Sequence, residues 1–254
     1  MPYRFLFAFT LCLLLSSGTA RADLAAGKAA FDKKNWSVAA QHLLPLAQEG
    51  DDGALLLFGK MYADGLGVPQ DMKKAFDLFL RSAKKGNAEA MVAVAAFYGG
   101  DAQGVETNRK AALEWFRKAA EQNQSVAQFA LGMALTGGDE KINLQADLVE
   151  AYKWLSLAGR DISLPLRMRN TSKKLARHIY DKSLEIKDRP IAEEAVRTWK
   201  PKKWEDLSST HVYWNVDTDQ DVTAVPEEQP APQDSETAPE TIDEGETLPD
   251  DTGE

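Results

Sequence analysis

Two glycine-containing stretches are where this sequence comes nearest to chemistry. Gly65-Leu66-Gly67 resembles a phosphate cradle in miniature, because glycines let backbone N–H groups approach an anion closely. Gly53 to Met61, GALLLFGKM, approximates the loop that holds nucleoside triphosphates. Neither meets its own requirements. A dinucleotide loop follows a strand, whereas these glycines follow a helical pattern. In the second stretch five residues separate Gly53 from Gly59 where four are needed, and Met61 stands where Ser or Thr would bind magnesium.

The other chemistry-bearing residues are dispersed. His42, His178 and His211 lie in three separate segments with no ligand spacing between them, so they read as solvated or packed imidazoles. The single cysteine, Cys12, falls in a segment expected to be removed, which excludes disulfides, thiolate metal sites and a cysteine nucleophile from the remainder. Acid pairs such as Asp51-Asp52 and Glu193-Glu194 are placed at helix starts, where they face the helix dipole favourably. Carboxylates for sugar hydrolysis can meet in space from anywhere in a chain. No Gly-x-Ser-x-Gly elbow is present. No catalytic residue, cofactor or metal is expected.

The ends of the chain differ in composition from the middle. Met1 to Ala22 has an early cation, Arg4, an apolar run from Phe5 to Leu15, and small and polar residues ending Ala20-Arg21-Ala22. That is the layout of a secretory signal, with cleavage expected after Ala22 and export to the periplasm or beyond in a bacterium. The apolar run is about half of the roughly 20 residues that a membrane-spanning helix needs, so no stable span is expected after cleavage. At the other end, Trp204 to Glu254 carries sixteen acids and no Lys or Arg. The formal charge of −9 therefore divides into a body of about +7 up to Lys203 (30 bases against 39 − 16 = 23 acids) and an acidic tail of −16. From Val216 onward the tail is rich in Asp, Glu, Pro, Thr and Gln and is expected to stay disordered. HVYWNV, His211 to Val216, is oddly aromatic for such a place, and Tyr213 and Trp214 read more readily as docking on the body than as a partner-recognition peptide.

The elements between the ends are set by a repeat. ALLLFGKMYADG from Ala54, AMVAVAAFYGGD from Ala90 and AQFALGMALTGG from Ala127 align, bringing Gly59, Ala95 and Gly132 into one column. The segments beginning at Ala39, Ala75, Ala112 and Ala151 align too, with Ala47, Ala83, Ala120 and Gly159 eight residues on. The period is 36 to 39 residues, which marks a stacked array. Each unit reads as two amphipathic helices: Ala54, Phe58 and Met61 recur at helical spacing in the first, Ala75, Phe79 and Ala83 in the second. The small residues let neighbouring helices approach closely, so Ala75→Leu is expected to overpack that contact at a cost of roughly 1–3 kcal/mol. Gly65, Gly67, Pro69 and Asp71 then make a bend and a cap between helices. In the following unit Gly99-Gly100 and Gly104 occupy that place, with Thr107 or Asn108 as the cap.

With A…LFGKMYADGLGVPQDMKKAFDLFLRSAKKGNAEA laid out, the chain resembles the Sel1-like repeat family, helical-hairpin relatives of tetratricopeptide repeats. The match is close at Ala54 to Asp71 and Ala75 to Gly86, weaker in the next two units, and reduced in Leu24 to Gly50 to a second-helix pattern suited to a degenerate cap. The resemblance implies an all-α, α-α superhelix. Its organisation would be a signal over 1–22, a solenoid with C-terminal cap over 23–203, and an aromatic segment with a disordered acidic tail over 204–254. Two cap helices are expected at about Pro165 to Ile186 and Arg189 to Trp199, ending in Trp199-Lys200-Pro201.

What the resemblance implies for function is a non-enzymatic, exported scaffold or regulator that holds a peptide or helix of an envelope or secreted protein. By analogy with tetratricopeptide arrays, the groove-facing positions flank the Gly/Ala column: Leu56 and Lys60, Val92 and Ala96, Phe129 and Met133. They would form a mainly apolar groove with Lys60 as its charged reader. The alternatives are packing of these residues between repeats, a cell-wall or polysaccharide hydrolase on a helical scaffold, and a structural protein whose tail binds calcium weakly. Arg160 to Lys203 holds thirteen Lys and Arg against six acids. That stretch reads as a solvated face, as a site for an acidic partner or anionic polymer, the chain's own tail included, or as a nucleic-acid face, the last ill-suited to an exported protein.

Overall fold

The computed structural model describes residues 23–100 and 104–208; the expected signal over 1–22, His211, Tyr213, Trp214 and the acidic tail lie outside the described residues. Those described form eleven α-helices and no strand, with one isolated bridge between Asp139 and Leu144. Consecutive helices pair as antiparallel hairpins: α1 (Leu24–Asp32) with α2 (Trp36–Glu49), α3 (Asp52–Asp64) with α4 (Met72–Lys84), α5 (Ala88–Gly99) with α6 (Arg109–Glu121), and α7 (Ser125–Gly137) with α8 (Leu148–Arg160). Then come α9 (Leu166–His178), a π-helical turn (Ile179–Ser183), α10 (Arg189–Thr198) and α11 (Trp204–Ser208). Each hairpin packs on the next, so the expected solenoid of helical hairpins is the fold.

Local chemistry sets the breaks. Asp51, Asp71, Asn87, Asn108 and Asp147 each accept a backbone N–H from the first turn of the helix they precede, at 2.8–3.0 Å. Such a cap satisfies a donor that the helix itself cannot. Asn108 takes the role left open between it and Thr107, whose hydroxyl instead donates to the Gly100 carbonyl at 3.2 Å. Gly65 ends α3 in the left-handed conformation, φ 67°. Gly67, φ 72°, also lies where a Cβ would come within 2.5 Å of Trp36 Cβ. That glycine loop is a bend pressed against the preceding hairpin.

The small columns sit inside. Ala54, Ala75, Ala83, Ala90, Ala95, Ala127 and Ala151 are fully buried. A Cβ on Gly59 would lie 2.7 Å from the Phe79 ring, and one on Gly132 would lie 2.7 Å from Leu155 Cγ. Around these contacts Phe76 meets Phe97 and Tyr98 at 5.6 and 5.2 Å between ring centres, tying the second hairpin to the third. Buried Ser82 donates to the Asp52 carbonyl at 2.7 Å, and Asn87 reaches the Asp52 carboxylate at 3.0 Å.

After α10 the chain turns back across the array. Trp199 packs edge-on against fully buried Trp154 of α8 at 6.0 Å. The Lys202 amide donates to the Glu121 carbonyl at the end of α6, 2.8 Å away. Trp204 lies over Gly86, at the α4–α5 turn, and near Lys118. This strap touches the hairpins in reverse order. The expected domain edge at Lys203 falls inside it, and Trp204 continues the packed body because its indole finds apolar cover there.

Candidate functional site

The first helices of the hairpins, α3, α5 and α7, carry the six positions anticipated from the sequence. Ala96 is exposed and Met133 is 42% exposed. Val92 and Phe129 are half-buried and packed against the core. Lys60 is half-buried, and its ammonium pairs with Glu89 of α5 at 2.6 Å. Leu56 differs: at 6% exposure it belongs to the core, because the adjoining helices cover its side of α3. The structure thus brings Lys60, Ala96 and Met133 to equivalent places on successive first helices, with Lys60 already engaged by a neighbour.

Apolar surface that sequence spacing did not single out appears at the α8–α9 turn. Ile162 is 86% exposed and Leu166 is 61% exposed. The turn is tied to α9 by Arg169, which donates to the Ile162 carbonyl at 3.0 Å. Asp161 beside it is held below the usual carboxylate range chiefly by hydrogen bonds from Ser163, with the Ser125 hydroxyl at the start of α7 adding to them. The only sequence signal for this patch is ISLPL, apolar residues around a helix-starting proline.

The acid pairs have structural partners. Asp51 caps α3 and Asp52 bonds Asn87. Glu193 accepts from the Tyr180 hydroxyl and Glu194 pairs with Arg197. Contrary to expectation, this second pair sits in the interior of α10, which begins at Arg189. Ser82 and Lys85 have the spacing of a serine nucleophile and its base. Ser82, however, is fully buried with its hydroxyl committed to a carbonyl.

The most perturbed carboxylate is Glu150, which bridges α6 and α8. Arg117 and Lys153 each contact it at 2.8 Å. Burial alone would raise its pKa, but the hydrogen bonds and charges of the two cations outweigh that and bring it to about 2. Such a group is a permanently charged joint. Among the described residues no set of three or more His, Cys, Asp or Glu is placed to hold a metal ion, and no helix is long and apolar enough to cross a membrane.

Shallow clefts lie between helices of the described residues. One, about 280 Å³, is lined by α6 and α7 together with Ile142 to Leu144. Another, about 480 Å³, lies between α8 and α9 and is lined by Tyr152, Ser156, Arg160, Lys173, Arg177 and Tyr180 among others.

Comparison with known proteins agrees with this geometry. The Sel1 repeat profile matches residues 52–87, 88–124 and 125–161, which are the α3–α4, α5–α6 and α7–α8 hairpins. A Sel1 repeat protein from Oxalobacter formigenes, of known crystal structure, is 26% identical with a TM-score of 0.56, over 68% of each chain. A protective antigen present in uropathogenic Escherichia coli strains, displaying an SLR fold, is 19% identical over 76% of this chain and 57% of its own, with a TM-score of 0.31. No curated protein matches. Three consecutive Sel1 repeats, from residue 52 to residue 161, make up the centre of this chain.

Proposed function

We propose that this chain is an exported scaffold that holds a peptide or helix of an envelope or secreted protein along the face of α3, α5 and α7. Sel1 repeats mediate protein–protein interaction, and this chain stacks three of them. A stacked helical array offers an extended, curved surface on its first-helix side. The observation that carries the reading is the register of Lys60, Ala96 and Met133. Small or flexible side chains recur there at the same place in each hairpin, flanked by half-buried Val92 and Phe129. Such a strip offers apolar contact to a helix or extended peptide, and the Lys60–Glu89 pair supplies a donor and an acceptor at one end. The engaged state of the acid pairs and of Glu150 supports a non-catalytic role.

The test places charge where the side chains are exposed. Ala96→Glu with Met133→Glu should abolish capture of the partner from the exporting cell while leaving the melting temperature within about 2 °C, as surface changes do. Phe129→Ala is a poorer probe, because that ring also packs on the core. Unchanged capture by the double variant would move the binding face elsewhere. Export is tested separately by fractionation and by sequencing the N-terminus of the mature chain, expected to begin at Asp23.

A further inference from the structure

We propose that the acidic segment from Asp217 to Glu254 docks within its own chain on the cleft between α8 and α9. The cleft lies apart from the strip on α3, α5 and α7 and has no part in the function proposed above. Arg160 at the end of α8 and Lys173 and Arg177, one turn apart on α9, line it with the Ser156 hydroxyl and the paired rings of Tyr152 and Tyr180. Among the described residues none of these three cations makes an ion pair, and Asp181 is the one acid on the rim. Several cations on the repeats are paired instead: Lys60 with Glu89, Arg109 with Asp139, Arg117 and Lys153 with Glu150, Lys202 with Glu121. The repeat differs in sequence beside this cleft. Where earlier units hold Ala47, Ala83 and Ala120, this one has Gly159, and a Cβ there would lie 2.9 Å from Lys173 Cγ.

The occupant is chosen by charge and by tether. Residues 209–254 hold fourteen acids and no Lys or Arg. The strap delivers the chain to the α4–α5 turn, where Trp204 covers Gly86, so the segment starts two hairpins away from the cleft. Helices pack about 8–10 Å apart, and the nine residues to Asp217 extend to about 30 Å at most, the 26 to Asp234 to about 90 Å. Many of the acids can therefore return to α9. Tethering supplies an effective concentration on the order of millimolar, so individually weak surface pairs suffice. The contact should screen out with salt, since the Debye length falls from about 10 Å at 0.1 M to about 3 Å at 1 M. It would also keep other polyanions off the cleft.

The experiment uses the full chain with Cys12→Ser and Ser235→Cys, a nitroxide on that cysteine, and amide intensities read by NMR. Broadening should centre on residues 156–160 and 173–181, and be relieved at least about twofold both in 0.5 M salt and in the Arg160→Gln, Lys173→Gln, Arg177→Gln variant. Broadening centred elsewhere, or unchanged in that variant, overturns the proposal. Should the triple variant not fold, the full chain with its fourteen tail acids changed to Asn and Gln gives a second reading. It should bind a fluorescent polyglutamate probe about tenfold more tightly than the unaltered chain. Equal binding by the two chains refutes docking of the tail on the cleft.

Discussion

Gly132 and Gly137 lie on the same helix five residues apart, and adding one methyl group to each should shift stability in opposite directions. In a helix, Ala is favoured over Gly by roughly 0.5–1 kcal/mol, less near the end. At Gly132 the new Cβ would fall 2.7 Å from Leu155 Cγ, 3.1 Å from Leu155 Cδ2 and 3.2 Å from the Leu155 backbone nitrogen. The side-chain atoms can rotate away, but the nitrogen moves only if α8 moves, and Trp154 and Leu155 are both fully buried on that helix. Overpacking of this kind costs about 1–3 kcal/mol, so Gly132→Ala should lose about 1–2 kcal/mol net. At Gly137 nothing lies within 4 Å of the added Cβ, and Gly137→Ala should gain about 0.5 kcal/mol. In a body of this size each kcal/mol moves the melting temperature by about 2–4 °C. Thermal unfolding followed by circular dichroism should therefore fall by about 2–8 °C for the first variant and rise by about 1–2 °C for the second. A rise in both would mean that the Gly/Ala column is slack and does not set the hairpin spacing.

Glu150 should make stability acid-sensitive. Its pKa is depressed from 4.5 to about 2, so its contribution is full above about pH 4.5 and is lost as pH falls towards 2. Unscreened this is worth about 3 kcal/mol, and about 1–2 after allowing for a side chain 29% exposed. Glu150→Gln should flatten the decline in urea stability over that interval, and an unaltered slope would dismiss the bridge. Removing the strap's anchor, Trp204→Ala, should cost about 1–2 kcal/mol for a half-buried indole and open 199–208 to proteolysis; an unchanged cleavage pattern would mean that the strap is held by other contacts. Lys60→Glu should change the melting temperature by less than about 2 °C, because its pair with Glu89 is largely solvent-screened, and a larger fall would show that the joint between α3 and α5 depends on it.

The repeat, the helical class, the caps and the bends were legible in the chain because they rest on local chemistry. A period of 36 to 39 residues, glycines at Gly65 and Gly67, and Asp or Asn ahead of α2 to α6 and α8 specify hairpins without reference to anything distant. The dismissal of the phosphate cradle had the same source. Of the strip on α3, α5 and α7, the sequence supplied the register, since residues one repeat apart occupy equivalent places on successive helices.

Coverage was decided elsewhere. Leu56 and Lys60 share one side of α3, yet one is core and the other reaches Glu89, because the neighbouring helices close over the first. Trp204 stands at the edge of an acidic tail in sequence but packs against Gly86, more than a hundred residues upstream. Arg160 and Lys173 line one cleft because α9 packs back along α8. Helical periodicity places side chains on a stripe; whether that stripe meets water, another helix or a returning strap depends on the distances at which whole hairpins pack, and on contacts between segments far apart in the chain.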